Sequence, residues 1–148
     1  MAETTWVLVA DSSRARLFRA EGADNRLVEV EDMAHPEGRL HETQLTSDLP
    51  GRTFDRFGQG HHAMEEDTPP KRHEAIQFAK RIGARIETAR VQGQFTRLAL
   101  AADPRFLGIL RDNLTKESLK LATIQIDKNL VQLPLEQITS HLPARLSC

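Results

Sequence analysis

Residues 6–10, WVLVA, form an unbroken apolar run close to the start of this 148-residue chain. A strand that is apolar at every position is typical of a strand buried on both faces, which therefore lies in the middle of a sheet. The next three residues, 11–13, are Asp-Ser-Ser, which favour a turn. Residues 14–19, RARLFR, then alternate in polarity, which predicts a half-buried antiparallel partner for the central strand.

The remaining sequence continues as a mixed pattern of strands and helices. Residues 27–33 alternate valine with glutamate, so that Glu29 and Glu31 are expected on one face, and this completes a predicted three-stranded meander. The further elements predicted are a long helix that begins at Thr68-Pro69-Pro70, a strand at 95–101, a short helix from Asp103 to Leu110, a turn capped by Thr115, a strand at 121–126 and a closing helix at 135–142.

The order β-β-β-α-β-α-β-α predicts an α/β fold with a mixed five-stranded sheet and helices on its faces. The arrangement expected is ribonuclease H-like, with strands 1, 4 and 5 parallel and strands 2 and 3 on the other side. We expect residues 1–148 to form a single domain. A long loop at residues 35–68 then separates the third strand from the long helix.

Composition limits the class of protein. The net charge is −1, so any attraction to nucleic acid or to an anionic membrane must come from a local patch. The single cysteine, Cys148, excludes an internal disulfide and a thiolate zinc cluster. No signal peptide and no apolar window of roughly 18 to 20 residues are found. The sequence therefore predicts a soluble, cytoplasmic protein without membrane insertion.

The loop at residues 35–68 is the predicted working segment. It has no periodicity and holds four of the eight glycines, and five of the six histidines fall between 35 and 73. Long loops in compact domains are either functional or disordered. Glycine lets the backbone approach a ligand closely, and a glutamine amide both donates and accepts hydrogen bonds. We expect a binding tip at Gly58, Gln59, Gly60, His61 and His62; the alternative is a solvated surface excursion.

Two sets of side chains in and near this loop allow other chemistry. His61, His62 and Glu65 carry the imidazole and carboxylate groups that zinc, manganese or iron prefer, although no helical metal motif spaces them. No cofactor is predicted. The long helix is amphipathic, with Ala75, Ala79, Ile82, Ile86 and Ala89 on one face. Its basic face, with Lys71, Arg72, Arg81 and Arg85, is either a solvated surface or a set of phosphate contacts. Arg52 and Arg56, in the preceding loop, are further candidates for phosphate contact.

A nuclease is the enzymatic alternative. Asp11, Asp103 and Asp127 follow strands 1, 4 and 5, whose ends meet at one sheet edge in the predicted topology. Three carboxylates there could hold two magnesium ions for phosphoryl displacement. Each also has a local explanation as a turn or cap residue. Ser12 and Ser13 lie near no histidine that the sequence identifies as a base.

Several blocks of this sequence, in the same order, resemble the bacterial host-attachment protein family. They are WVLVADSSRARLF, HPEGRL, LTSDLPGRTFD, GHHAME, PRFLGIL and IDKNLVQLP, and together they cover nearly the whole chain. The resemblance implies a role in attachment to a host cell, with a host-cell component as partner. The element order is also similar to the middle domain of archaeal and eukaryotic class 1 release factors, whose Gly-rich loop carries a Gly-Gly-Gln tripeptide. Here the order is Gly58-Gln59-Gly60.

These observations lead to one hypothesis and two alternatives. The hypothesis is a small non-enzymatic binding module that acts on the ribosome or tRNA through the Gly-Gln-Gly loop and the basic helix. The alternatives are an attachment factor for host cells and a metal-dependent nuclease. The oligomeric state is not predicted.

Overall fold

Three stretches of the chain, residues 3–21, 26–35 and 69–143, are described by a computed structural model. Their elements are β1 (Thr5–Ala10), β2 (Arg14–Glu21), β3 (Arg26–Ala34), α1 (Pro69–Val91), β4 (Arg97–Ala101), α2 (Pro104–Asp112), α3 (Lys116–Leu121), β5 (Ala122–Ile126) and α4 (Leu135–Ser140). The predicted order is confirmed, and the turn expected after Thr115 is the short helix α3. Thr68, the predicted cap of α1, lies outside the described residues.

The sheet has five strands in the order β3-β2-β1-β4-β5. β1 pairs with β2 antiparallel and with β4 parallel, and β5 extends the parallel half beyond β4. All six residues of β1 are buried. The α/β class, the mixed five-stranded sheet and the central position of β1 are therefore confirmed. The assignment to the ribonuclease H-like group stays a prediction.

Apolar side chains cover both faces of the sheet. On the helix side, which α1, α2 and α3 cover, Trp6 and Leu8 of β1 pack into the core. On the far side, Val7 and Val9 pack against residues 130–142, which include α4. Each such side chain stabilises the fold by about 1.5–3 kcal/mol. Within the described stretches, no helix is long and apolar enough to cross a membrane.

A β-bulge in the β2–β3 pairing corrects one prediction. Leu17 lies opposite Glu31 and Phe18 lies opposite Glu29, so Val30 is the extra residue on β3. Directly opposed residues of neighbouring strands point to the same face of a sheet. Glu31 therefore lies on the helix side and Glu29 on the far side, whereas strict alternation had placed both glutamates on one face.

After the bulge, each glutamate lies beside a separate arginine, and Glu29 Oε2 is 3.6 Å from Arg16 Nε. Arg85 of α1 donates from Nε to Glu31 Oε1 at 2.6 Å, which ties the helix to β3. On the far side, Arg16 donates from Nη1 to the carbonyl oxygens of Val131 and Leu133 at 3.2 and 3.1 Å. The C-terminal segment thus contacts the far face of β2. Over residues 14–17, buried and partly exposed residues alternate as predicted, and Phe18 adds a fully buried side chain on the far face.

Both predicted helix caps that lie within the described residues are present. Asp103 Oδ1 accepts from the Phe106 backbone N–H at 2.9 Å, and Thr115 Oγ1 accepts from the Ser118 N–H at 3.0 Å. These oxygens satisfy backbone donors that the first helical turn leaves without a partner. The sequence signals at both positions were therefore sufficient to locate the starts of α2 and α3.

Glu87 links α1 to the start of α3. Its Oε1 accepts from Thr115 Oγ1 at 2.8 Å and from Ser118 Oγ at 3.2 Å, while Arg90 donates from Nε and Nη2 at 2.9 and 2.7 Å. The hydrogen bond from Arg90, followed by the one from Thr115, lowers the pKa of Glu87 from its ordinary 4.5 to about 2. The folded chain therefore favours the ionised carboxylate.

Acid should weaken this link. Because the folded-state pKa of Glu87 is depressed, its contribution to stability is present above pH 4.5 and is lost as the pH falls toward 2. We expect the difference in Tm between the wild type and Glu87→Gln to shrink over that range, in thermal unfolding followed by circular dichroism. Glu136→Gln, an exposed change in α4, controls for the general effect of acid. A difference in Tm that is constant from pH 7 to 2.5 contradicts the expectation.

Gly83 allows α1 to approach the end of α2 closely. A Cβ atom at this position would overlap the carbonyl oxygen of Asn113, a backbone atom with little room to move. At Gly108, in the exposed face of α2, a Cβ would have no neighbour within 4 Å. The two helical glycines therefore differ in packing, although their intrinsic helix propensity is the same.

We expect Gly83→Ala and Gly108→Ala to change stability in opposite directions. Gly83→Ala should destabilise the fold by about 1–2 kcal/mol because overpacking outweighs the gain in helix propensity. Gly108→Ala should stabilise it by up to about 1 kcal/mol. Urea denaturation of both variants measures this. Equal effects of the two changes would show that the close approach is not a constraint.

Candidate functional site

The carboxyl ends of β1, β3, β4 and β5 meet at one edge of the sheet, because these four strands run in the same direction. Asp11, His35 and Asp127 directly follow β1, β3 and β5, and Asp103 is the second residue after β4. The start of α1 lies at the same edge, because Glu74 contacts His35. In α/β proteins, ligands bind outside the carboxyl ends of the strands. This carboxyl edge is therefore the candidate site.

At this edge His35, Glu74, Phe78 and Arg81 form a group that we call the His35 cluster. His35 Nε2 lies 2.7 Å from Glu74 Oε1, and Arg81 Nη1 lies 3.3 Å from His35 Nδ1. Arg81 Nη1 also donates to the carbonyl oxygen of Ala34 at 3.0 Å. The imidazole stacks on Phe78 with ring centroids 5.3 Å apart. Only 8% of the His35 side chain is exposed, so this polar group is shielded from water.

The turn after β1 contacts the His35 cluster through the backbone of His35. The backbone N–H of His35 donates to the carbonyl oxygen of Ser13 at 2.8 Å. Asp11 Oδ1 holds this turn by accepting from the backbone N–H groups of Ser13 and Arg14 at 2.9 and 2.8 Å. A histidine therefore does lie beside the Ser12-Ser13 turn, which sequence reasoning had not found. Both of its ring nitrogens face Glu74 and Arg81 rather than a serine hydroxyl.

The nuclease candidates share the predicted edge but serve local structure. Asp11 organises the β1–β2 turn and Asp103 caps α2, while Asp127 is exposed after β5. In the part of the chain that the structure describes, no group of three or more His, Cys, Asp or Glu side chains could hold a metal ion. The nuclease alternative gains no support from this arrangement.

The phosphate-contact candidates divide into two groups. Arg85 binds Glu31 and Arg81 binds the end of β3, so both side chains tie α1 to the sheet. Lys71 and Arg72 lie in the first turn of α1, where Arg72 is exposed. The remaining site candidates lie outside the described residues and stay predictions: Arg52, Arg56, Gly58, Gln59, Gly60, His61, His62 and Glu65.

Sequence reasoning missed the His35 cluster for a physical reason. His35 and Glu74 are 39 positions apart, and no periodic pattern connects them. A single histidine at the end of a strand and a glutamate in a basic helix are both ordinary surface residues when they are considered separately. Only the packing of α1 across the sheet brings them together.

We expect Glu74→Ala to destabilise the protein by about 1–3 kcal/mol, because it removes the acceptor that faces the buried His35 ring. His73→Ala is the matched control, since His73 is exposed in the same helical turn. It should change stability by no more than about 0.5 kcal/mol. Urea denaturation measures both variants, and equal losses would contradict a structural role for the Glu74–His35 contact.

Solved structures with similar shapes are distant from this chain. One is described as "Archaeal protein", with 12% identity and a TM-score of 0.47, and the match covers 93% of this chain and 34% of that one. Another is the type II variant of the Aquifex aeolicus Ppx/GppA phosphatase, with 14% identity and a TM-score of 0.40, over 84% of this chain and 35% of that one.

This chain spans about a third of the length of each of these structures. At TM-scores below 0.5, the likenesses support no argument about fold or function. No curated protein matches this chain.

A family model gives the informative match. The model described as "Protein required for attachment to host cells" matches residues 6–142. The match begins inside β1 and extends beyond α4, so it covers almost the whole chain. It confirms the host-attachment resemblance, whereas the release-factor similarity is not shown. The chain therefore belongs to the family of proteins required for attachment to host cells.

Proposed function

We propose that this protein is a non-enzymatic binding module that serves attachment to host cells, with residues 36–68 supplying the contact. The family match over residues 6–142 supports the attachment role. The proposed contact residues are Gly58, Gln59, Gly60, His61 and His62. Glycine backbone and polar side chains suit close, hydrogen-bonded contact with a polar partner surface.

The observation that carries this proposal is the His35 cluster. The residues on either side of the 36–68 segment, His35 and the first turns of α1, are joined by the 2.7 Å contact between His35 and Glu74. The described residues that flank this segment therefore lie close together at the carboxyl edge of a sheet whose central strand is fully buried. Binding residues are often found on loops that a rigid scaffold positions.

The second proposal is that the protein binds the ribosome or tRNA. Fewer basic residues are available for phosphate contacts than the sequence had predicted. Arg81 and Arg85 already have partners on β3, so the phosphate contacts would come from Arg52, Arg56, Lys71 and Arg72. For each phosphate contact that is lost, about one fewer counterion is released on binding, so the affinity depends less steeply on salt concentration. Nothing in the described residues favours RNA over a protein partner.

A complementation experiment tests the attachment role. Cells that lack this gene are supplied with the wild type or with a variant in which Gly58–His62 is replaced by Ala-Ser-Ala-Ser-Ala. We expect attachment to host cells to return with the wild type and to stay near the level of the deletion strain with the variant. The control replaces Gln92 and Gln94 by serine, in an exposed turn at the opposite edge of the sheet, and should restore attachment.

The outcomes separate the proposals. If the deletion strain attaches as well as the wild type, the attachment role is wrong. If the Gly58–His62 variant restores attachment, the role stands and the contact lies elsewhere. If the wild type co-sediments with ribosomes at low salt but not at high salt, and this variant does not co-sediment at all, the RNA hypothesis is favoured instead.

A further inference from the structure

We propose that two copies of this protein pair through the outer edge of β5 and form a dimer with one continuous sheet, to which each copy contributes its five strands. β5 (Ala122–Ile126) ends the sheet on one side, and within the described stretches no strand pairs with its outer edge. Thr123 and Gln125 are exposed in this strand. The inference goes beyond the attachment role and does not depend on it.

The hydrogen bonding on the inner side of β5 shows which backbone groups face outward. The carbonyl oxygen of Ile126 accepts from the N–H of Ala102, directly after β4, at 3.1 Å. The backbone groups of successive residues in a strand point to opposite edges. The N–H and C=O groups of Gln125 therefore point away from β4. The side chain of Gln125 donates from Nε2 to the carbonyl oxygen of Ala122 at 3.3 Å rather than to its own backbone.

The two edges of the sheet differ in how they resist pairing. Free edges are commonly protected by charged side chains and by bulges. The opposite edge, β3, has both, because it carries the bulge at Val30 and four charged residues, which are Arg26, Glu29, Glu31 and Asp32. β5 has no charged residue, and its one irregularity, at Thr123, precedes Gln125. β5 is therefore the edge that favours pairing with another strand.

The sequence of β5 is complementary to an antiparallel copy of itself. In a pair centred on Gln125, this residue exchanges both backbone hydrogen bonds with Gln125 of the second copy. Ile124 then lies opposite Ile126 of the second copy, and Ile126 lies opposite Ile124. Both isoleucines are only partly buried against the far-side core, and opposed β-branched side chains stabilise a strand pair. Asp127 lies opposite Thr123, so no like charges are opposed in this stretch.

The two-fold symmetry of this pair closes the assembly at two copies. Each copy uses the same edge, so the contact is isologous and leaves no β5 edge free. The free edges of the dimer are its two charged β3 strands, which oppose growth into a filament. Because the two β5 strands run in opposite directions, the two carboxyl edges face opposite ways. The dimer therefore carries two separate copies of the candidate site.

Sedimentation velocity of the full chain tests the proposal. A contact along five residues is smaller than the roughly 800 Å² per partner of a stable complex, so we expect a weak dimer. The weight-average mass should rise toward twice that of the monomer between about 10 µM and 1 mM. Over the same range, hydrogen exchange of the Gln125 amide should slow with the fraction of dimer, whereas amide exchange along β3 should not change.

Gln125→Pro is the informative variant. It removes an N–H that points away from β4, so it should leave the pairing inside the sheet intact. The dimer loses both of its central hydrogen bonds, and Kd should rise at least about tenfold. Gln125→Thr is the matched control, because it loses the same side-chain amide but keeps the backbone N–H. Its Kd should stay within about threefold of the wild type.

Three results overturn the proposal. The first is a wild type that stays monomeric at every concentration. The second is a Kd for Gln125→Pro equal to that of Gln125→Thr, because the contact then lies away from this edge. The third needs no variant and decides the case if Gln125→Pro does not fold: a dimer forms, but exchange of the Gln125 amide is independent of concentration.

Discussion

Every residue of β1, from Thr5 to Ala10, is buried, and the remaining structure is arranged around that burial. A strand with apolar side chains on both faces needs a covering layer on each side and a neighbouring strand at each edge. The β1–β2 turn provides one neighbour and β4 provides the other. The helices α1 to α3 cover one face, and the C-terminal segment with α4 covers the other. The carboxyl edge, where the candidate site lies, is a consequence of this parallel arrangement.

Charged side chains then set the position of α1 along the sheet. Glu74, near its start, and Arg81, in its middle, both contact His35. Further along the helix, Arg85 contacts Glu31, and Glu87 accepts a hydrogen bond from the cap residue of α3. These contacts add direction to apolar packing, which has little directional preference of its own. The basic character of this helix is therefore in part a structural requirement, and only some of its cations are left to interact with a partner.

The His35 cluster connects the fold to the proposed function. It is a set of polar groups, shielded from water, next to residues 36–68. His35 contacts Glu74 through one ring nitrogen and Arg81 through the other. Buried polar networks of this kind favour one arrangement when each polar group has its partners. The described residues on either side of 36–68, the segment proposed to make the contact, are therefore held together by polar contacts as well as by apolar packing.

The sequence by itself determined the strands, the helices, the two caps and the mixed sheet, because periodicity and capping are local signals. The family resemblance was also carried by sequence blocks. Tertiary structure alone decided which side Glu29 and Glu31 face, because a bulge at Val30 depends on how β2 and β3 pair. It also decided that His35 meets Glu74 and that Arg81 and Arg85 serve the fold. These contacts join residues 39 to 54 positions apart, and no local pattern encodes which of many charged side chains will meet once the helix packs on the sheet.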